Sequence, residues 1–186
     1  MKIIESGYTI RSARLEELSL LAQIEQSAAK LFLDTPFSFV VDADPLPLDF
    51  VQQQFQVGQV WVAVNRHETL VGYAIAREVD GTLYLQQIDV APEHGRRGIG
   101  SALVNTVCAW AKQHRHNIVS LSTFRDIPWN APFYSKLGFR ILDKSGLTTG
   151  FQQIGLQEIE SGLPISERVI MYCEIQPSNN RIATDS

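Results

Sequence analysis

The sequence predicts an α/β (α+β) fold, with a mixed and mostly antiparallel sheet flanked by helices. Three observations lead to this prediction: strand-like and helix-like segments alternate, three successive strands are joined by tight turns, and a strand-helix-strand unit follows them. Tight turns make neighbouring strands antiparallel. A strand-helix-strand crossover is right-handed and makes its two strands parallel. The predicted sheet is therefore mixed.

The length and composition of the chain favour a single globular domain. With 186 residues, of which 45% are hydrophobic and 19% charged, the chain can bury a sizeable core. We expect this domain to span residues 1–176. Residues 177–186 are polar and turn-forming, so they cannot bury enough surface to offset their ordering entropy, and a flexible tail is expected there.

The same composition disfavours several classes of protein. A net charge of -4 provides no general attraction for a phosphate backbone, so no nucleic-acid partner is expected. No apolar run approaches the ~20 residues that span a bilayer, and the first residues lack the pattern of a signal peptide. We therefore expect a cytoplasmic protein without a membrane partner. Cys108 and Cys173 have no metal or redox spacing and are expected to be reduced and buried.

The N-terminal part of the chain predicts one strand and two helices. Residues 8–11 are strand-like, and apolar residues then recur at helical spacing until about Phe32. Residues 34–48 contain three prolines and three aspartates, which predicts a long loop. A short helix is expected over residues 50–55.

Three strands are predicted in the middle of the chain, over residues 60–64, 70–79 and 83–90. The dipeptide Asp80-Gly81 connects the second of these strands to the third. It is a strong hairpin signal, because the tightest hairpin turns favour residues that accept a positive φ.

The last part of the chain predicts two helices and two strands. Apolar residues fall on one face of a helix from Ile99 to Ala111, and a strand is expected over residues 118–123. Pro132 suits the first turn of the next helix, and Gly138 suits its end. Residues 169–175 are expected to close the sheet.

The junction between the third middle strand and the following helix predicts an anion site. Residues 87–101 run from the strand into the helix through a turn with three glycines. Unpaired N–H groups and the helix dipole favour a phosphate there, and Arg96 and Arg97 add cationic contacts. The alternative is a turn that only caps the helix. It is not a P-loop, since no Gly-Lys-Ser/Thr follows, nor a dinucleotide fingerprint, since Leu103 occupies the third glycine position.

The strand before this turn shows a break in its pattern. Its apolar residues occupy odd positions up to Leu85 and even positions from Ile88, which predicts a β-bulge near Gln86 and Gln87. A strand buried on both faces is the alternative. A bulge would bend the strand away from a parallel neighbour and expose backbone groups. An extended, amide-bearing ligand such as pantetheine could pair with them like an added strand.

Three segments together form a specific pattern. They are Ile-Asp-Val-Ala-Pro-Glu at 88–93, Arg-Arg-Gly-Ile-Gly-Ser-Ala-Leu at 96–103, and Asn-Ala-Pro-Phe-Tyr-Ser-Lys-Leu-Gly-Phe at 130–139. In this order they resemble the fourth strand, the pyrophosphate loop and a later helix of the GNAT superfamily of acetyl-CoA-dependent N-acetyltransferases. The resemblance implies a GNAT-like fold with a splayed parallel strand pair, acetyl-CoA as cosubstrate, and no metal.

The resemblance also implies roles for individual residues. Backbone groups of Ile88 and Val90 would bind pantetheine, and Asn130 and Tyr134 would flank the thioester. The implied cofactor-binding residues are Ile88, Asp89, Val90, Gly95, Arg96, Arg97, Gly98, Ile99, Gly100, Ser101, Asn130 and Tyr134. Gly95 departs from the Gln or Arg that usually begins the family's loop. Because that loop works mainly through backbone N–H groups, the departure weakens a side-chain contact more than the site.

Tyr134 is the predicted catalytic acid. Acetyl transfer to an amine requires a proton for the departing thiolate. A phenol has a pKa of ~10 and a thiol ~8.5, so at neutral pH the phenol can donate as thiolate charge develops. The alternative is an aromatic residue of the core beside Phe133, whose hydroxyl serves only packing and a partner bond.

The sequence leaves the catalytic base open. Many family members have a glutamate on the fourth strand, but the matching position is Gln87, which cannot take a proton. Asp89 is near, but we expect it on the opposite face of the strand. Glu25, on the first helix, is a weak candidate for a catalytic role, with solvated surface as the alternative. A water relay would need no dedicated base.

The predicted function is direct transfer of an acetyl group from acetyl-CoA to a primary amine, here assigned to a small molecule. A peptide or protein acetyltransferase and a non-catalytic acyl-CoA-binding domain are the alternatives. The aspartates of the 34–48 loop could attract a cationic amine, although an exposed acidic loop also explains them. The expected partners are coenzyme A and the amine, and a homodimer is compatible with the sequence. We expect four histidines at the surface: His67, His94, His114 and His116.

Overall fold

The computed structural model describes residues 2–4 and 7–175, so the tail predicted over residues 177–186 lies outside the described residues. The described residues fall into two compact units. The first contains those up to Arg77 together with Tyr84–Val107, and the second contains Glu78–Leu83 and those from Cys108 onward. The assignment of a single domain stays a prediction.

The first unit alternates strands and helices. Strands β1 and β2 precede a 3₁₀ segment at Leu15–Leu20 that leads into helix α1, and α2 precedes β3, β4 and β5. Helix α3 begins in this unit. The bounds are β1 Lys2–Ile4, β2 Tyr8–Ser12, α1 Leu21–Ala29, α2 Leu48–Gln56, β3 Val60–Val64, β4 Leu70–Val79, β5 Thr82–Val90 and α3 Ile99–Gln113.

The strands of the first unit follow the order β1-β2-β3-β4-β5. The first three neighbouring pairs are antiparallel, with Ile10 of β2 opposite Ala63 of β3, and Ala63 opposite Gly72 of β4. Every residue of β3 is buried. This is why β3 reads as a continuous apolar run and not as an alternating one.

Helices α1 and α2 cover one face of this sheet. Leu18, Leu21 and Ile24 pack with Val51 in a cluster that also contains the inward residues of β3 and β4. Burial of side chains of this size stabilises the fold by about 1.5–3 kcal/mol each. The packed cluster fixes where α1 lies against β4, and therefore where the polar side chains of these two elements meet.

The second unit contains the hairpin turn at Asp80-Gly81 and the C-terminal elements. Asp80 and Gly81 both have positive φ, 47° and 78°, as a two-residue turn of this type requires. The strand order is β6-β8-β7, with both pairs antiparallel. The bounds are β6 Ile118–Phe124, α4 Ala131–Lys136, β7 Arg140–Ile141, α5 Thr149–Glu160 and β8 Arg168–Glu174.

The predicted elements agree with the structure to within a few residues except for the first helix, and the short strands β1 and β7 have no counterpart in the prediction. The first predicted helix is divided: Leu15–Leu20 and Lys30–Phe32 are 3₁₀ segments on either side of α1. Helix α5 has no counterpart in the prediction, because Gly150 and Gly155 weaken its helical pattern. Gly150 is required here, since a Cβ at this position would lie 2.6 Å from the carboxylate of Asp80.

Candidate active site

The loop before α3 has the backbone conformation of an anion site. Arg96 and Gly98 both have positive φ, 56° and 79°. The first bond of the helix runs from the N–H of Ala102 to the carbonyl of Gly98, at 3.0 Å. The N–H groups of residues 99–101 come before this bond, and an α-helix offers no carbonyl acceptor to its first N–H groups. The alternation of left- and right-handed residues in the loop turns successive N–H groups toward one point.

The loop is accessible and anchored at both ends. Residues 95–98 are exposed, whereas Ile99 is buried and fixes the start of the helix. At the other end, the hydroxyl of the buried Tyr8 lies 2.8 Å from Nδ1 of His94. The exposed guanidinium groups of Arg96 and Arg97 supply positive charge beside the loop. These features fit a diphosphate group, because phosphate oxygens accept from N–H groups and pair with guanidinium.

The end of β5 combines exposure with a close approach to β4. Residues 83–85 are buried, whereas residues 86–90 are all partly exposed. A Cβ on Gly72 would lie 2.8 Å from the carbonyl oxygen of Asp89, so only glycine fits there. The roles proposed for the backbone of Ile88 and Val90, and the bulge near Gln86, stay predictions.

Asn130 and Tyr134 lie in the second unit, at helix α4. The hydroxyl of Thr123, on β6, donates to the side-chain oxygen of Asn130 at 2.6 Å. The backbone carbonyl of Asn130 accepts from the N–H groups of Phe133 and Tyr134, at 2.8 and 3.1 Å. Asn130 therefore connects the end of β6 to the first turn of the helix.

Tyr134 is held rigidly. It is buried, and its ring makes edge contacts with Phe133 and Phe139, with ring centres 5.1 and 5.8 Å apart. Gly138 ends the helix with φ of 90°, its N–H bonded to Ser135 and that of Phe139 to Tyr134. These two bonds form a Schellman motif, which confirms the predicted role of Gly138.

A group of polar side chains lies inside the first unit, where α1, β4 and β5 meet. The hydroxyl of Tyr73 donates to Oε2 of Glu25 at 2.9 Å. The N–H of Leu46 donates to Oε2 of Glu25 at 3.2 Å, and Nε2 of Gln87 donates to Oδ2 of Asp89 at 2.8 Å.

Burial changes the acidity of this group. The pKa of Asp89 is raised to about 7, mainly by burial and also by the nearby charge of Glu25, while the hydrogen bond from Gln87 lowers it. Burial also raises the pKa of Glu25, and it raises that of Tyr73 well above its ordinary range. The Asp89 residue keeps some exposure, but its carboxyl group is enclosed. Asp89 is therefore a neutral acid over much of the range below pH 7.

The structure corrects one expectation about this strand. Asp89 was expected on the opposite face from Gln87, but the two side chains are bonded to each other and share a face. The physical reason is the two-residue period of a strand, which places residues i and i+2 on the same side. Asp89 is therefore a side-chain member of the polar group. Its predicted part in cofactor binding stays a prediction.

A small cleft opens beside Glu25 and Tyr73. It has a volume of about 100 Å³, and its apolar walls are formed by Leu18, Leu21, Leu46 and Val51. Glu25 is partly exposed, and Leu46, on the wall, also donates its N–H to that carboxylate. The cleft therefore combines apolar sides with one anionic end. Tyr73 was not predicted from the sequence, but it is the single hydroxyl in the apolar run of β4 from Leu70 to Ala76.

Other predicted residues have mixed outcomes. Asp34, Asp42 and Asp44 are exposed, as an acidic surface loop would be. The expectation of four surface histidines is wrong for His94 and His116, which are partly buried, because His94 bonds to Tyr8 and His116 lies against the ring of Trp110. Cys108 and Cys173 are free and only partly buried.

Comparison with known proteins identifies the family. The sequence model of the acetyltransferase (GNAT) family matches residues 25–139, more than half of the chain. The chain therefore belongs to the GNAT family of acetyltransferases. It is thus an acyltransferase that uses acetyl-CoA.

Solved structures show the same fold at low sequence identity. A GNAT-family acetyltransferase from Staphylococcus aureus Mu50 aligns with a TM-score of 0.68 and 18% identity, over 91% of this chain and 99% of its own. The ribosomal-protein-S18-alanine N-acetyltransferase of Escherichia coli aligns with a TM-score of 0.62 and 18% identity, over 94% and 98%. The PaiA N-acetyltransferase of Thermoplasma acidophilum, in complex with coenzyme A, aligns with a TM-score of 0.64 and 16% identity, over 90% of this chain and 98% of its own.

These comparisons confirm the predicted fold class, an α+β fold with a mixed sheet flanked by helices. The splaying of its parallel strand pair stays a prediction. Across residues 2–4 and 7–175, no helix has both the length and the apolar character needed to cross a membrane. Within the same residues, no group of three or more His, Cys, Asp or Glu side chains is arranged to hold a metal ion.

Proposed function

We propose that the protein transfers the acetyl group of acetyl-CoA directly to the primary amine of a small molecule, with Tyr134 as general acid. The observation that carries this proposal is the loop before α3. Its two left-handed residues, Arg96 and Gly98, and the N–H groups that precede Ala102 suit the diphosphate of coenzyme A. Arg96 and Arg97 supply the cationic contact that Gly95 does not.

The surroundings of Tyr134 support its proposed role. Aromatic contacts and the helix end hold the ring in one orientation, which a general acid requires because proton transfer depends on distance and angle. In the proposed reaction the amine attacks the thioester carbonyl and the C–S bond breaks. The sulfur takes a proton from Tyr134, and the phenol is restored by the proton that leaves the attacking nitrogen.

The cleft beside Glu25 supports the assignment of a small amine. An ammonium group carries a positive charge that the carboxylate of Glu25 would attract, and the apolar walls would contact the adjoining carbon atoms. A volume of about 100 Å³ is several times the roughly 10–15 Å³ that a single water molecule requires on the same measure. It therefore suits an ammonium group and a few carbon atoms. In this proposal Glu25 takes the proton that the ammonium must lose before attack.

The test is a panel of amines and peptides with acetyl-CoA, followed by release of free thiol. We expect turnover with small primary alkylamines and little with peptides, and calorimetry should show that acetyl-CoA binds without the amine. Failure of acetyl-CoA to bind would overturn the proposal. Turnover confined to peptides would replace the small acceptor by a protein. Binding without turnover of any acceptor would favour a regulatory acyl-CoA-binding domain.

A further inference from the structure

Two hydrogen bonds to Glu25 converge on one of its two carboxylate oxygens. The hydroxyl of Tyr73 donates to Oε2 at 2.9 Å, and the N–H of Leu46 donates to the same atom at 3.2 Å. An ionised carboxylate has two oxygens and about four acceptor positions in total. Both donors of the described residues occupy Oε2, so Oε1 keeps its acceptor capacity for a ligand in the cleft that Glu25 lines.

The Leu46 donor comes from a segment with a single backbone N–H. Leu46 lies between Pro45 and Pro47, and proline has no N–H to donate. Each proline fixes its own φ, and Pro47 also disfavours a helical conformation for the residue before it. Pro47 directly precedes α2, and Val51 of α2 packs in the buried cluster. The backbone therefore holds the N–H of Leu46 in place on both sides.

The Tyr73 donor is held by the core. Tyr73 is 1% exposed and packs in the cluster formed by residues of α1, α2 and β3. A buried tyrosine hydroxyl usually has a hydrogen-bond partner, and here the partner is Glu25. The donors thus come from β4 and from the segment before α2, whereas Glu25 comes from α1. The orientation of the Glu25 side chain is fixed before a ligand enters the cleft.

The same two donors support the ionised form of Glu25. Burial raises the pKa of this carboxyl group, whereas the hydrogen bonds from Leu46 and Tyr73 lower it. Hydrogen bonds to a charged carboxylate are stronger than those between neutral groups. The cleft therefore keeps a partly exposed anion at a position where burial alone would favour a neutral acid.

We propose that Tyr73 is a positioning residue for the acceptor, which together with the N–H of Leu46 holds Glu25 so that its Oε1 receives the ammonium group of a primary alkylamine. This inference rests on the proposed function and deepens it. Glu25 contacts the amine, whereas Tyr73 acts through Glu25. The ligand does not displace the protein's own hydrogen bonds, because they end on the other oxygen.

This arrangement predicts a preference for a cation over a neutral molecule of the same shape. An ammonium group has three donors and a positive charge, whereas an alcohol with the same carbon chain has one donor and no charge. The apolar walls, which include Leu18 and Val51, contact the carbon chain of either molecule. The ratio of the two affinities therefore measures what Glu25 contributes, separately from the fit of the chain.

The first experiment measures binding in the cleft without acetyl-CoA and without turnover. The methyl groups of Leu and Val are labelled with ¹³C, and the signals of Leu18, Leu46 and Val51 are followed by NMR while propylammonium or 1-propanol is added at pH 7. The wild type should bind propylammonium at least about tenfold more tightly than 1-propanol. Glu25→Gln should bring the two affinities to within about twofold of each other.

Tyr73→Phe should lower the affinity for propylammonium about fivefold and leave that for 1-propanol unchanged, because Glu25 must then be ordered by the ligand itself. A purely structural role of Tyr73 would weaken both ligands together. Glu25→Asp keeps the charge but withdraws it from Tyr73 and Leu46, so it should lower the ratio by a similar factor of about five. It provides the same test if Tyr73→Phe does not fold.

Two matched controls remove the same chemical groups elsewhere in the first unit. Glu16→Gln removes an exposed carboxylate from the 3₁₀ segment before α1. Tyr84→Phe removes a buried hydroxyl from β5, outside the residues that line the cleft. Both variants should keep the wild-type ratio of affinities.

The second experiment is steady-state acetylation of propylamine. Tyr73→Phe should raise KM for the amine about fivefold and change kcat by less than about twofold, with the affinity for acetyl-CoA unchanged in calorimetry. Equal affinities of the wild type for the two probes would overturn the inference, as would a Tyr73→Phe variant with the wild-type ratio. Turnover of small amines without this charge preference would refute only the role of Tyr73. A charge preference without turnover of any small amine would remove the proposed acceptor and keep the cation site.

Discussion

Replacement of Asp89 by asparagine should change how the stability of the protein depends on pH. The pKa of Asp89 is raised to about 7, from an ordinary value of 3.8. The folded state therefore holds a proton between these values that the unfolded state has lost. By linkage, the free energy of unfolding falls as pH rises from about 4 to about 7 and is level above that.

The size of this effect follows from the pKa difference. A difference of about three units corresponds to about 4 kcal/mol, at about 1.4 kcal/mol per unit. Asparagine has nearly the same shape and cannot ionise. The Asp89→Asn variant should thus resemble the wild type at pH 4 and exceed its stability at pH 8 by up to about 4 kcal/mol. With a urea slope of roughly 2 kcal/mol per molar, the difference in midpoint would approach about 2 M.

The assay is urea unfolding followed by circular dichroism, at one-unit steps from pH 4 to pH 8. Asp80→Asn is the control of opposite sign: hydrogen bonds from Thr148 and from the N–H of Gly150 lower the pKa of the exposed Asp80. The stability that Asp80 contributes is present above its unfolded pKa and is lost toward acid. Parallel profiles for the wild type and Asp89→Asn would refute the reasoning about Asp89.

Three further predictions concern the loop before α3, the sheet and the second unit. In Gly98→Ala the added Cβ has no neighbour within 4 Å, so the substitution strains only the backbone, whose φ is 79°. This strain costs about 1 kcal/mol, and calorimetry should therefore show that the affinity for acetyl-CoA is lowered about fivefold. Gly72→Ala brings a Cβ to 2.8 Å from the backbone of Asp89, and thermal unfolding should show a loss of about 1–3 kcal/mol. Glu158→Gln leaves the partly buried guanidinium of Arg168 without its carboxylate at 2.5 Å, and denaturation should show a loss of about 3 kcal/mol. Unchanged affinity or stability would contradict the corresponding prediction.

Local signals in the sequence predicted the parts of the fold that depend on neighbouring residues. The turn at Asp80-Gly81 and the helix end at Gly138 both need a positive φ, and the residue types at these positions are those that favour a positive φ. The start of α3 at Ile99 was predicted from the helical spacing of its apolar residues. Helix α5, which was missed, contains Gly150, which is explained only by its contact with Asp80, 70 positions earlier in the chain.

The polar group at the cleft shows why site prediction from sequence stops short. Glu25, Tyr73 and Asp89 come from one helix and two strands, and each is unremarkable among its sequence neighbours. Tyr73 lies in a strand with an apolar pattern, and no local spacing connects it to Glu25, 48 positions away. Their meeting depends on how α1 packs on the sheet. By contrast, the loop before α3 and the Tyr134 helix are continuous segments, so their residues could be named from the sequence.

We propose that the protein uses acetyl-CoA to acetylate an amine and that Tyr134 protonates the departing thiolate. The most direct measurement is steady-state thiol release by the wild type and by Tyr134→Phe, at saturating acetyl-CoA and amine. We predict that kcat falls about 100-fold in the variant while calorimetry shows unchanged acetyl-CoA affinity, because phenylalanine keeps the ring packing and removes only the proton. Equal kcat values for the two proteins would contradict the claim.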